Sequence, residues 1–385
     1  MELPHSGARP GFWKAILLSL PMFALAFVMA AGGKKPAPGA DSLVFAALWL
    51  FYCASFFLMI YTGKTDKWRA PIFIALAVAF CFSFITHMFA ARGSMSINEA
   101  EMLAGRTPFC HMVIPMTLIP IAFTKTVIFP GSMTGIYASV ASMLALWVIF
   151  SLALGRGWCA WGCFFGGLED GFSRIFKKPK ILQSVNPRLT LLPFAVLLAV
   201  ALFSAAFMYP VYCAWLCPFK TVTEYAQVTS FTTLVQAFIF VGLFLSLVVM
   251  LPMLSKRRTQ CGLFCPFGAF QSLTNKINPF ETAIDPALCV KCGHCIKICP
   301  VFALDEDSLA SGRAKLTCIK CGKCIDECPK GALFYRIKGA SAKKMETFRL
   351  LFLYPAFLFL TAFSAGMIRD AAMKLIKLAA TGSLL

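Results

Sequence analysis

Long apolar runs alternate with short polar loops along most of this chain. A helix needs about 20 predominantly apolar residues to cross a bilayer. Runs of that kind occupy 13–31, 42–61, 71–91, 132–155, 189–209 and 232–254, with a seventh at 350–368. Residues 112–130 (MVIPMTLIPIAFTKTVIFP) are also apolar, but they carry Pro115, Pro120 and Lys125. Prolines remove backbone donors and kink a helix, and irregular backbone survives at membrane depth only where protein buries it. The segment is therefore predicted to be re-entrant, with an additional span as the alternative.

The charge pattern orients these runs. With the N-terminus inside, the inner segments carry 27 of the 36 Lys and Arg residues, and the outer ones carry 8. This is the bias of cytoplasmic loops, and it holds only if 112–130 does not cross. Ala30-Ala31-Gly32 resembles a signal-peptide cleavage site, but an apolar run of 19 residues favours an uncleaved anchor. Composition agrees with a lipid environment: 59% of residues are hydrophobic and 14% charged, against about 25% charged in a soluble domain. A net charge of +19 on a soluble protein would suggest nucleic acid; here the cations belong to loops between spans, so no nucleic-acid partner is expected.

Seventeen cysteines change the picture further. Fourteen stand in C-x2-C or C-x3-C spacings, which suit metal better than disulfides; the others are Cys53, Cys81 and Cys110. The polar stretch 285–335 contains CVKCGHCIKICP and CIKCGKCIDECP, each a C-x2-C-x2-C-x3-C-P run. This is the bacterial two-cluster ferredoxin pattern, in which the fourth Cys serves the other cluster. Cluster I is predicted on Cys289, Cys292, Cys295 and Cys328, and cluster II on Cys318, Cys321, Cys324 and Cys299. Zinc sites pair two C-x2-C units across a longer gap, which argues against zinc. His294 falls between ligands and reads as a solvated position. The fold class that follows is an α-helical integral membrane protein. It has about seven transmembrane helices, one re-entrant segment and an inserted α+β two-cluster ferredoxin-like domain. The expected divisions are 1–255, 256–340 and 341–385, the last holding the final transmembrane helix.

Three C-x3-C pairs remain: Cys159/Cys163, Cys213/Cys217 and Cys261/Cys265. Residues four apart on a helix share a face, so each pair can grip one metal or iron–sulfur centre but supplies only two of the usual four ligands. Topology places Cys159, Cys163, Cys261 and Cys265 at the inner face, where they could complete each other. Cys213 and Cys217 fall at the outer face, with Cys110 and His111, or His87, as candidate co-ligands. Cys53 and Cys81 read as small buried hydrophobes. Glu169-Asp170 reads as a solvated pair at a helix start. No C-x-x-C-H haem motif occurs, and no Gly-rich dinucleotide motif follows a strand.

These motifs resemble the membrane-bound polyferredoxins of the NapH/NosR type, most specifically in the ferredoxin run and in CAWLCPF and CGLFCPFGA. The chain departs from that pattern in having Phe164 where the other pairs have Pro218 and Pro266, and in lacking a periplasmic flavin domain before its helices. The resemblance implies a bacterial inner-membrane protein with its ferredoxin domain in the cytoplasm. It also implies quinol oxidation and electron supply to a periplasmic or membrane redox partner. A related branch of cupric reductases that assist copper-oxidase assembly shares the layout, so a metal-handling maturation factor is the alternative. A third reading is an anchoring subunit whose clusters only relay electrons to a soluble partner.

Overall fold

The computed structural model describes residues 10–32, 36–91, 110–124, 140–182, 185–223, 228, 230–340 and 345–383. The apolar runs form α1 (Phe12–Ala31), α2 (Ala40–Thr62), α3 (Thr65–Ala91), α4 (Ile114–Thr124), α5 (Val140–Leu154), α6 (Phe164–Phe172), α7 (Leu192–Phe207), α8 (Phe231–Ser255) and α9 (Pro266–Thr274). The polar insert adds β1 (Phe280–Ile284), α10 (His294–Ile298), α11 (Glu306–Ser311), α12 (Lys323–Asp326) and β2 (Leu333–Ile337). The chain then enters α13 (Met345–Thr381).

Among the described residues, six helical stretches are long and apolar enough to cross a membrane: Phe12–Ala31, Ala40–Thr62, Leu144–Trp161, Arg188–Phe207, Phe231–Ser255 and Met345–Thr381. Helix α13 serves as a ruler for depth. Near its start Arg349 donates to Met59 O (2.7 Å) and Thr65 Oγ1 (3.4 Å). Further along, Arg369 pairs with Asp41 (2.5 Å) and Asp370 accepts from Ser83 Oγ (2.9 Å). Twenty residues at 1.5 Å rise separate these polar belts by about 30 Å, the thickness of a hydrocarbon core. Helix α3 runs the same distance, from Thr65 at one belt to Ser83 at the other. The last helix is longer than the predicted run at both ends. Beyond Arg369 it becomes polar and is braced by a Lys374–Asp370 pair one turn apart (2.8 Å).

Helix α4 has 11 residues, a rise of about 16 Å, too little to cross alone. Residues 125–139, the remainder of the predicted re-entrant segment and the start of the next run, lie outside the described residues.

The insert is small and tightly keyed. Strands β1 and β2 pair antiparallel, with Thr282 opposite Tyr335, and Arg336 bridges to Glu281 (2.6 Å). Each ferredoxin motif turns at two left-handed residues, Lys291 and Gly293 in the first and Lys320 and Gly322 in the second. The insert sits on the near belt. Asp326 accepts from Thr65 N (2.7 Å) and Lys67 N (3.1 Å), closing the N-terminus of α3 from a distant part of the chain. Tyr335 packs on Phe352 of α13, with ring centroids 4.4 Å apart. The apolar core runs without a break from the helices into the insert.

Candidate metal centres

In the insert the eight cysteines separate into two groups. One small cavity is lined by Cys289, Cys292, Cys295 and Cys328, and another by Cys299, Cys318, Cys321 and Cys324. Each group takes its fourth thiol from the other motif. Backbone N–H groups face the thiols: Ala303 N, after left-handed Phe302, donates to Cys299 Sγ (3.2 Å), Ala332 N, after left-handed Gly331, to Cys328 Sγ (3.3 Å), and Lys320 N to Cys318 Sγ (3.5 Å). Four thiols plus N–H donors aimed at sulfur make the donor set that four-iron clusters take, so these residues fit that group. The two groups differ in surroundings. Cys292 is exposed, as is His294 beside it, whereas Cys299 and Cys321 are buried against the membrane helices.

The other site is built from Cys159, Cys163, Cys261 and Cys265. The structure brings these four buried thiols within mutual electrostatic reach: Cys163 of Cys159 and Cys265, and Cys261 of Cys265 and Cys163. The local turn is not a simple helical i, i+4 pair. Cys163 N reaches back five residues to Trp158 O (3.1 Å), and Cys265 N to Gln260 O (2.8 Å). Each second cysteine is then extended and caps the following helix, Cys163 Sγ accepting from Gly166 N (3.4 Å) and Cys265 Sγ from Gly268 N (3.2 Å). Because that cap is supplied by the thiol, proline is dispensable after it. Phe164 takes the place of Pro and stacks on Phe80 at 3.6 Å.

The two halves are locked by reciprocal arginines. Arg258 Nη2 donates to Cys159 O (2.7 Å) and Arg156 Nη2 donates to Cys261 O (2.9 Å). Arg258 Nη2 also lies 3.4 Å from Cys261 Sγ, while its Nε and Nη1 are buried and have no hydrogen-bond partner among the described residues. Buried cationic donors left over beside four thiols are what an anionic metal–thiolate group would satisfy. Sequence reasoning counted Arg69, Arg156 and Arg258 as loop charges, yet all three are buried. The signal that would have found two of them is R-x2-C-x3-C-x2-G, present at 156–166 and 258–268.

Several predicted positions are corrected. The four-thiol site lies at the ends of the Leu144–Trp161 and Phe231–Ser255 stretches, against the insert, and also reaches into the helices. Trp158 packs on Phe359 (4.8 Å) and Gly162 abuts the same ring, and Phe359 lies half-way between Arg349 and Arg369 on α13. His111 does not join Cys213 and Cys217; its Nε2 lies 3.2 Å from Cys163 Sγ, and Met112 Sδ lies 3.9 Å from Cys265 Sγ. Cys110 is half-buried against the core. Cys213 and Cys217 sit on the far side of the four-thiol site but directly against it, not a whole bilayer away. Tyr212 OH accepts from Gln260 Nε2 (2.8 Å), and Phe219 stacks on Phe165 (4.0 Å). Phe165 in turn meets Phe80, one turn short of the far belt at Ser83. Helix α7 ends at Phe207, and Val211 N then donates back to Ser204 Oγ (3.2 Å).

Glu169 and Asp170 are buried, not solvated. Glu169 accepts from Gln260 N (2.6 Å) and Cys261 N (2.9 Å), which holds the second half of the site in place. Asp170 lies between Arg69 (3.1 Å) and Arg174 (3.2 Å), and both arginines also reach Asp66 at 2.7 Å. Cys53 and Cys81 are half-buried on α2 and α3. The His87 side chain lies outside the described residues.

Residues 281–329 match the 4Fe-4S dicluster domain family. Residues 137–181, 189–231 and 238–280 each match the 4Fe-4S binding domain family. The chain carries 4Fe-4S domains of the ferredoxin type. Each of the three repeats contains one C-x3-C pair. Similar curated proteins include YccM of Escherichia coli, named as an electron transport protein (25% identical over 176 residues, 44% of this chain and 48% of YccM). MJ0750 of Methanocaldococcus jannaschii, uncharacterized, is 29% identical over 175 residues, 43% of this chain and 68% of its own. The methylamine utilization ferredoxin-type protein MauN of Methylobacillus flagellatus is 26% identical over 193 residues, 49% of this chain and 62% of MauN. The chain thus spans about half the length of YccM. No solved structure matches it.

Proposed function

We propose that the chain conducts electrons between its ferredoxin insert and the interior of a membrane, with Cys159, Cys163, Cys261 and Cys265 as ligands of a third iron–sulfur centre. The observation that carries this reading is a double docking of the Cys299/Cys318/Cys321/Cys324 loops onto both halves of the four-thiol site. Trp161 Nε1 donates to Lys320 O (3.1 Å) beside Cys321, and Arg258 N donates to Pro300 O (2.7 Å) beside Cys299. Electron tunnelling falls steeply with distance, so a core about 30 Å thick calls for stops along the way. Bound iron–sulfur clusters supply one-electron carriers whose potential depends on net charge, hydrogen bonds to sulfur and solvent exposure. This chain's residues set each of those terms. Arg156, Arg258 and Arg69 offset thiolate charge, Gly166 and Gly268 donate to sulfur, and Phe80, Phe164 and Phe165 exclude water.

In this reading Cys289 and Cys292 face the solvent partner, and Cys213 and Cys217 extend the path toward the opposite face. A membrane quinone and a redox partner on that face exchange the electrons, as in the NapH/NosR type. The Lys/Arg bias supports placing the insert in the cytoplasm of a bacterium, beneath its inner membrane. Iron and sulfide analysis with EPR tests the proposal: about twelve iron per chain are expected, and about eight would leave only the two ferredoxin clusters.

A second reading has an observation of its own. Cys163 with His111 and Cys265 with Met112 form a soft thiol, imidazole and thioether set that suits copper, which favours a metal-handling maturation factor. Stoichiometric copper in the purified protein, lost in Met112→Ala, would favour the second reading.

A further inference from the structure

A cavity of about 900 Å3 opens where the start of α7 meets the ferredoxin insert. Its lining includes Leu191 and Phe194 at the start of α7, and Lys276, Arg313, Lys338 and Cys318. In all, six cationic side chains border it against two carboxylates, Glu281 and Asp307. Two of the six are paired, Arg336 with Glu281 and Lys315 with Asp305. Lys338 donates to the backbone carbonyls of Asn275 (2.5 Å) and Lys276 (2.9 Å) and makes no ion pair among the described residues. Burial, and then the neighbouring Arg313, hold the Lys338 ammonium below its usual range against the pull of Glu281. Positive charge is crowded here, and a neutral occupant would relieve none of it.

The cavity also has an apolar approach. Leu191, Leu198 and Leu202 are 63%, 62% and 59% exposed and share one stripe of α7. The stripe leads from the hydrocarbon region to the cavity mouth, at the belt where the insert sits. Cations at that level attract anionic lipid headgroups.

We propose that this cavity binds the phosphate headgroup of an anionic phospholipid whose acyl chains lie along the Leu191–Leu198–Leu202 stripe. The anion would lie beside Cys318 and lower the reduction potential of a cluster held there; that consequence rests on the function proposed above, whereas the binding does not. The test is native mass spectrometry of the delipidated full chain with phosphatidylglycerol, phosphatidylcholine or inorganic phosphate added. Phosphatidylglycerol should be retained over phosphatidylcholine, and Arg313→Gln/Lys338→Gln should weaken its binding at least tenfold. Arg313→Lys, which keeps the charge, and Lys377→Gln, at the far end of α13, should leave it unchanged. Iron content equal to wild type identifies a folded double variant; should that variant not fold, exposed Lys276→Gln is expected to give a smaller loss of the same lipid. Equal retention of phosphatidylcholine, undiminished binding in the charge-removing variants, or displacement of the lipid by inorganic phosphate would overturn the assignment.

Discussion

The three C-x3-C pairs share a backbone and differ in company. The second cysteine has nearly the same conformation in each: φ −79°, ψ 106° at Cys163, φ −81°, ψ 107° at Cys217 and φ −74°, ψ 115° at Cys265. Yet two pairs fuse into one site and the third stands beside it. The difference lies three residues out on either side. Arg156 and Gly166 flank the first pair and Arg258 and Gly268 flank the last, whereas Pro210 and Lys220 occupy those positions around Cys213/Cys217. The arginine reaches the partner half, and the glycine leaves room for it. A Cβ on Gly166 would meet Arg258 Nη2 at 1.9 Å and Cys159 O at 2.6 Å. Spacing sets the turn, and the flanking residues decide which turns unite.

The largest expected break in that comparison is chemical. Cys261→Ala should remove about four iron per chain and the associated EPR signal, while Cys213→Ala should keep them; equal losses would erase the distinction between the two united pairs and Cys213/Cys217. Next, Arg258→Met removes one partner of a buried charge cluster and leaves Cys159 O unpaired. A loss of about 3–5 kcal/mol is expected, read as an earlier midpoint for thermal bleaching of cluster absorbance. Lys220→Met, which removes a cation three residues beyond Cys217, should change it by no more than about 0.5 kcal/mol.

Smaller still is Gly166→Ala, where overpacking against a backbone carbonyl should cost about 1–3 kcal/mol. Gly268→Ala should cost less, since its Cβ would lie 3.1 Å from the movable end of Arg156 and 3.2 Å from Cys261 O. An equal effect at both glycines would mean that the halves are more symmetric than their contacts suggest.

The mildest test uses pH on the docking of the insert. Burial pushes Asp326 up to about 6, and its hydrogen bonds to Lys67 N and Thr65 N only partly offset this. A carboxyl raised in the folded state contributes fully below its unfolded value and loses that contribution as pH rises through about 6. Docking, followed by hydrogen exchange at the start of α3, should therefore weaken between pH 4 and 6.5. Asp326→Asn should flatten that slope, and an unchanged slope would assign the dependence to another group.

The ferredoxin motifs repeat the lesson in miniature. Lys291 and Lys320 occupy the same place in near-identical runs and share a left-handed conformation. Lys291 is in solvent. Lys320 is buried, donating to Leu154 O (3.1 Å) and Asn275 Oδ1 (2.5 Å), and burial pushes its ammonium down to about 7 despite the opposing pull of Cys318. No local feature of CVKCGHC and CIKCGKC distinguishes them. The same holds for Glu169, whose partners at Gln260 and Cys261 are about ninety residues away along the chain.

What followed from the sequence by itself was whatever depends on near neighbours: helical runs of spanning length, the partition of eight ferredoxin thiols, and three recurring cysteine turns. Apolar periodicity and ligand spacing are short-range properties, so they can be read along the chain. What only the tertiary structure decided was company. It brought four thiols together against the insert, His111 and Met112 beside them, and buried three arginines around them. Those outcomes depend on which helix ends fold back and which surfaces meet, and such long-range packing leaves no local trace in the residues concerned.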